Sequence, residues 1–147
     1  MKTQFRKAIL PKELAALLAF DRKVFPQPDR FDRAYWKQCE SYWLIVGTTK
    51  VACCAFEKRG RSLYISTTGV LPRFQNQGFG KLAKSWQIAF ARYHGYNRVI
   101  THCRKHNTPI VSLNRQFGFR IVKTIPRYYL EPTDSAVFME LLLDHAN

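Results

Sequence analysis

The chain has 147 residues, enough to bury one hydrophobic core and too few for two typical domains, so residues 1–147 are read as a single domain. A composition of 46% hydrophobic, 14% aromatic and 23% charged residues, with seven Gly and seven Pro, excludes a disordered, collagen-like or low-complexity chain. The net charge of +14 points to an anionic partner or ligand: nucleic acid, an anionic surface or a phosphate-rich small molecule. The longest apolar runs, Leu14 to Phe20 and Leu141 to Leu143, fall far short of the roughly 20 residues that cross a bilayer, so no membrane span is predicted. The first residues, Met1 to Lys7, carry charge but no apolar signal core, which predicts a protein that begins at Met1 and stays in the cytoplasm.

In chain order, Thr3 to Ile9 reads as a first strand, and Pro11 opens a helix whose Leu14, Leu17, Leu18 and Val24 recur at three to four residues. Phe25-Pro26-Gln27-Pro28 ends it, and a short amphipathic stretch follows around Tyr35, Trp36 and Cys39. Tyr42 to Val46, Val51 to Glu57 and Leu63 to Val70 then read as an antiparallel meander with turns at Gly47 to Lys50 and Arg59-Gly60. Lys81 to His94 is a helix with Leu82, Trp86, Ala89, Phe90 and Tyr93 expected on its buried face and Gly95 at its C-cap. Arg98 to Cys103 returns as a strand, Thr108 to Phe117 as a short helix with Asn107 as N-cap, and Phe119 to Ile125 and Ala136 to Leu143 as closing strands. The order is α+β with a mixed sheet.

Cys39, Cys53, Cys54 and Cys103 form no CxxC, and the adjacent pair would point to opposite faces of a strand. They are read as reduced, buried thiols, with no disulfide framework and no metal site.

Charge is unevenly placed. Between Glu57 and Glu131 there is no Asp or Glu, while fourteen Lys and Arg fall from Lys58 to Arg127. A catalytic base in that stretch must therefore be something other than a carboxylate. Inside it lies Leu63-Tyr64-Ile65-Ser66-Thr67-Thr68-Gly69-Val70-Leu71-Pro72-Arg73-Phe74-Gln75-Asn76-Gln77-Gly78-Phe79-Gly80-Lys81-Leu82. Here a strand runs into a glycine-bearing loop that opens a helix, the arrangement that presents free N–H groups to an anion. Lys81 and Lys84 in the first turn oppose the helix dipole, which is explained if a phosphate sits between them and it. The spacing fits neither a Walker A loop nor a Rossmann GxGxxG.

With Gln75, Gly78 and Gly80 in the pattern Q-x-x-G-x-G, followed by an Asn-led helix from Asn107 that ends in Gly118-Phe119, the sequence resembles the GNAT acyl-CoA-dependent N-acetyltransferases. The resemblance implies a three-layer α/β/α fold around a mixed, mostly antiparallel sheet of about seven strands, with acetyl-CoA as the acyl donor. It assigns cofactor contacts to Thr68, Gly69 and Val70, to Gln75, Asn76, Gln77, Gly78, Phe79, Gly80 and Lys81, and to Asn107 and Asn114. Leu63-Tyr64-Ile65, His102 five positions before Asn107, Phe25-Pro26 and Arg127-Tyr128-Tyr129 are most similar to the protein N-terminal acetyltransferases, the ribosomal-protein and NatE-like enzymes. That likeness implies that Tyr64 and His102 take the amine proton through water. It further implies that Phe25 and Pro26, Ser66, and Tyr128 and Tyr129 contact the first substrate residue.

The chemistry stands on its own terms as well. Amine acetylation needs an uncharged amine, a held carbonyl and a stabilised thiolate. Period two places Tyr64, Ser66 and Thr68 on one polar face of their strand, and His102, with an ordinary pKa of ~6.5, suits a base at neutral pH if its strand neighbours that of Tyr64. An α-amine at ~7.7 to 8.0 loses its proton more easily than a lysine at ~10.4, by on the order of 3 kcal/mol, so a modest base favours an N-terminus. Three positions depart from the family pattern. Asn114 stands where many members carry a Tyr and cannot supply an acid proton, His102 stands where relatives use a Glu, and Gln27 adds polarity after Phe25-Pro26. The reading is thus an acetyltransferase acting on a peptide or protein α-amine, with the basic surface available for ribosome association. Acetylation of a lysine or small amine, and a non-catalytic acyl-CoA- or RNA-binding domain, are the alternatives.

Overall fold

The computed structural model describes residues 2–143. Its elements are β1 (Thr3–Lys7), α1 (Leu14–Val24), α2 (Arg33–Gln38), β2 (Glu40–Val46), β3 (Thr49–Arg59), β4 (Ser62–Val70), α3 (Phe79–Tyr93), β5 (Arg98–Arg104), α4 (Thr108–Gln116), β6 (Arg120–Leu130) and β7 (Thr133–Leu142). Short 3-10 turns occupy Gln27–Asp29 and Pro72–Phe74. The strands make one seven-stranded mixed sheet in the order β1-β2-β3-β4-β5-β7-β6. Every hairpin connection gives an antiparallel neighbour, while the crossover from β4 through α3 to β5 is the connection a parallel pair requires. The chain falls into two compact units, one of residues up to Glu57 with Ile65–Ala83, the other of Lys58–Tyr64 with the residues from Lys84 on.

In the first unit the strand alternation sorts the core to two faces. Trp43, Ile45, Cys53 and Ala55 pack with Leu14, Leu17 and Phe20 of α1 and Trp36 of α2, while Leu44, Val51 and Ala52 meet Phe74 and Phe79 on the other side. A register shift between Leu44 and Ile45 lets β2 hold that alternation. Helix α1 begins at Leu14, not at Pro11, and Glu13 before it turns its carboxylate back toward Arg6 of β1. It accepts from Ile9 N at 2.7 Å, Arg6 Nη2 at 2.9 Å and Trp43 Nε1 at 3.2 Å. The paired guanidinium of Arg6 holds this carboxyl down to about 2.

In the second unit β7 pairs antiparallel with β5 from Arg98↔Leu142 to Arg104↔Ala136, and β6 covers its other edge. Both closing strands reach further than expected, to Leu130 and back to Thr133, because the hairpin tightens around Glu131-Pro132. Arg104 fixes that turn by donating to the carbonyls of Pro132 at 2.6 Å and Glu131 at 3.1 Å.

Helix α3 corrects the expected face. Its inner residues are Lys84, Gln87, Ile88 and Ala91, with Ala83 buried one turn earlier, whereas Leu82 is 38% and Tyr93 87% exposed. The aromatic stripe instead packs along itself, Trp86 on Phe90 at 5.3 Å and Phe90 on His94 at 4.2 Å. Gly95 ends the helix as expected, with Tyr96 N donating to Ala91 O at 3.0 Å. Asn107 does occupy the N-cap position of α4, but its side chain makes no capping bond.

Candidate active site

The loop between β4 and α3 belongs to the first unit. Val70 closes β4, Leu71 N donates to Val51 O at 3.0 Å, and Gln75 Nε2 reaches back to Val70 O at 2.9 Å. Asn76 and Gly78 turn the chain through positive φ, 62° and 89°, and Gln77 Nε2 braces Arg73 O at 3.0 Å. The helix begins two residues earlier than its periodicity indicates, so Phe79 and Gly80 are its first residues and Lys81 stands exposed in its first turn. Phe79 anchors that turn against Phe74 at 6.2 Å. A helix start leaves its first N–H groups without intrahelical acceptors, and this turn carries no acid. A Cβ built at Gly78 would meet nothing within 4 Å, so open space lies where a ligand would approach. These features fit a diphosphate such as that of coenzyme A.

Thr68 and Gly69 lie just before the loop. A Cβ at Gly69 would stand 3.0 Å from Val24 Cγ1 and 3.2 Å from Phe25 Cε2, so the end of α1 leans directly on β4 there. Phe25 takes the C-cap of α1, its carbonyl accepting from Arg30 Nε at 2.8 Å, and Pro26 leads into the following 3-10 turn. Ser66 Oγ lies 2.7 Å from Tyr35 Oη and 4.0 Å from Cys39 Sγ.

In the second unit Tyr64 and His102 come together. Tyr64 Oη is 2.5 Å from His102 Nδ1 and the two rings are nearly parallel, 11° apart. With the imidazole proton on Nε2, the phenol donates to Nδ1; with it on Nδ1, the phenol oxygen accepts. His102 is caged by Phe138 at 4.8 Å, Tyr128 at 5.3 Å and Tyr129 at 6.4 Å. Arg59 lays its guanidinium 3.8 Å above the Tyr64 ring. Burial, with the Arg59 charge adding to it, lowers the His102 pKa to about 4, well below the ordinary value expected from sequence. Burial likewise pushes the Tyr129 phenol above its usual range and Cys103 to about 11. Both Tyr128 and Tyr129 are carried here by an irregularity of β6 between Ile125 and Tyr129, where Arg127 takes a φ of 53°.

Asn114 is 1% exposed in α4. Its Nδ2 points to Met139 Sδ at 3.6 Å, and its Oδ1 has no hydrogen-bond partner among the described residues. Sequence reasoning does not single out Arg59, Phe138, Tyr35 or Glu57 as site residues. The first two join the site through strand pairing that leaves no local pattern, whereas Glu57 carries a signal, being the last acid before the acid-free stretch. No group of three or more His, Cys, Asp or Glu suited to a metal occurs among the described residues, and no described helix is long and apolar enough to cross a membrane.

Residues 12–119 match the Acetyltransferase (GNAT) family. The chain belongs to this family. Membership makes it an acetyl-CoA-dependent acyltransferase, and the seven-stranded mixed sheet is the GNAT fold. A comparison with curated protein sequences found no significant match. Among solved structures, the ribosomal-protein-S18-alanine N-acetyltransferase of Escherichia coli is similar, with a TM-score of 0.89 at 15% identity over 99% of this chain and 97% of the other. NAA60 of Arabidopsis thaliana, solved with a bisubstrate analogue, gives 0.81 at 16% over 99% and 100%. An acetyltransferase of Bacillus subtilis in complex with CoA gives 0.80 at 20% over 97% and 100%. At these identities the likeness is one of fold.

Proposed function

We propose that this GNAT enzyme acetylates the α-amine of a peptide or protein N-terminus, in the manner of the ribosomal-protein and NatE-like acetyltransferases. The observation that carries the reading is the short Tyr64–His102 hydrogen bond inside an aromatic cage that includes Tyr128 and Tyr129. The E. coli and Arabidopsis structures named above support it by fold. Acetyl-CoA, when bound, supplies a thioester carbonyl open to attack. The first turn of α3 and the backbone at Gly78 hold its diphosphate, with Lys81 adding charge.

The amine must arrive neutral, which an α-amine with pKa ~7.7 to 8.0 does in useful proportion at pH 7 and a lysine does not. Tyr64 Oη accepts the amine proton, directly or through a water, as its own proton passes to His102 Nδ1. A weak base is sufficient, because nitrogen becomes strongly acidic as it bonds to the carbonyl carbon. Asn114 is too buried to act on the leaving sulfur, so release relies on the intrinsic acidity of a thiol, ~8.5. Tyr128 and Tyr129 bound the space for the first residue of the acceptor, and the acid-free stretch gives the enzyme a surface for ribosome association.

Mass spectrometry of a mixed panel tests this: free peptides differing in first residue, the same peptides with blocked N-termini and free lysines, and polyamines. Acetyl mass on the free α-amines is expected. Transfer confined to lysines or polyamines overturns the acceptor class, and CoA binding with no transfer overturns the enzyme reading.

A further inference from the structure

We infer that the aromatic cage around His102 selects acceptors with a carboxylate side chain among their first three residues, Lys123 being the cation that receives it. The inference deepens the amine-acetylating reading above and rests on it. An aromatic cage with open ring faces ordinarily holds a cation, because the face of each ring is the negative part of its quadrupole. Here the protein's own cations already lie over three of the rings: the Arg59 guanidinium 3.8 Å from the Tyr64 centroid, that of Arg104 4.3 Å from Tyr129, and Lys123 Nζ 5.1 Å from Phe138. An ammonium or guanidinium brought to this place meets like charge, and an anion meets the reverse. Burial first and the Arg59 charge second lower the His102 pKa, the direction a positive potential at its ring requires.

Few acids of the same compact unit oppose these charges. Lys58–Tyr64 and the described residues from Lys84 on hold twelve Lys and Arg against three acids, Glu131, Asp134 and Glu140. Glu140 is buried between Arg98 Nη1 at 3.2 Å and Arg120 Nη2 at 2.8 Å, Asp134 lies 2.7 Å from His106 Nδ1, and Glu131 stands at the hairpin turn, eight residues along from Lys123. Arg104 is held at that turn by the carbonyls of Glu131 and Pro132, so it lends charge to the cage while its N–H groups are engaged. Lys123 differs. It is exposed on β6, and its ammonium has no ion-pair partner among the described residues. Its Nζ is 5.1 Å from Phe138 and Phe138 is 4.8 Å from His102, so the ammonium lies at most roughly 10 Å from the imidazole, while an extended chain advances ~3.3 to 3.6 Å per residue. A carboxylate on one of the first three residues of a bound acceptor therefore reaches it.

The test is equilibrium binding of peptide sets to the CoA-loaded protein, each set differing only by glutamate, glutamine or lysine at position one, two or three. At one of these positions the wild type is expected to bind the glutamate peptide about fivefold more tightly than the glutamine peptide at low salt, and the lysine peptide more weakly than either. Lys123→Gln should bring the glutamate-to-glutamine ratio close to one by weakening the glutamate peptide alone, with CoA affinity and melting temperature unchanged. Lys123→Arg, which keeps the charge, should retain the preference. General attraction to a chain of net charge +14 would favour glutamate at every position and would survive Lys123→Gln. That result overturns the inference, as does a wild type that treats glutamate and glutamine alike at all three positions or prefers lysine. Acetyl transfer to the same peptides is read separately: binding that discriminates without α-amine acetylation leaves the selectivity standing and removes the proposed function, and the converse removes the selectivity alone.

Discussion

A histidine whose conjugate acid titrates near pH 4 is neutral throughout the range in which an amine can act as nucleophile. The acid limb of kcat/KM should therefore report the α-amine of the acceptor, near pH ~7.7 to 8.0, and not His102. His102→Gln, which can still accept from Tyr64, is expected to lower kcat by roughly 10²- to 10³-fold while the limb stays in place. A limb near pH 6.5 that vanishes in the variant would show His102 to be an ordinary base and refute the depressed pKa. Stability carries the same signature. Between about pH 6.5 and 4 the unfolded chain binds a proton at residue 102 that the folded chain does not, so stability present above pH 6.5 declines as pH falls through 4, by on the order of 3 kcal/mol at most. The variant should flatten that part of the curve, as a chemical denaturation series across pH will show.

Gly69 shows how one strand position holds a helix end in place. Alanine there puts a methyl group 3.0 Å from Val24 Cγ1 and 3.2 Å from Phe25 Cε2, so both must give by a few tenths of an ångström. Gly69→Ala is expected to cost about 1 to 2 kcal/mol in denaturant titration and to raise KM for the acceptor more than for acetyl-CoA, because the displaced segment carries Phe25 and Pro26. Equal effects on both substrates would mean the segment does not touch the acceptor. Much at this scale is legible in sequence: the meander, the β4–loop–α3 passage and the Asn-led helix all announce themselves through turn residues and local periodicity. The buried face of α3 is not, since the helical spacing of its large apolar residues favours Trp86 and Phe90, whereas the residues that packing buries are Ala83, Lys84, Gln87, Ile88 and Ala91. Nor can spacing reveal that Phe138 stacks on His102, a neighbour set by the β5–β7 register. The irregularity in β6 that turns Tyr128 and Tyr129 together toward His102 is invisible for the same reason.

Across the whole chain, 24 Lys and Arg face 10 Asp and Glu, and self-repulsion among the excess cations opposes folding. Several acids are shielded from salt by burial. Glu13 is 11% exposed beside Arg6, and Glu140 is 9% exposed, held below its usual range by Arg120 and Arg98. Screening acts chiefly between exposed charges separated by more than the ~8 Å Debye length of 0.15 M salt, so it weakens the repulsion more than these pairs. Raising NaCl from about 0.02 to about 0.5 M should thus increase the melting temperature by a few degrees, contrary to a protein whose surface ion pairs dominate. A polyanion such as ribosomal RNA should stabilise the protein at low salt, and its affinity should fall linearly on a log–log plot against salt, with a slope that counts the phosphates neutralised. A melting temperature that falls with salt would show that paired charges outweigh the repulsion. RNA affinity indifferent to salt would mean that the acid-free stretch from Lys58 to Leu130 does not act as a polyanion-binding surface.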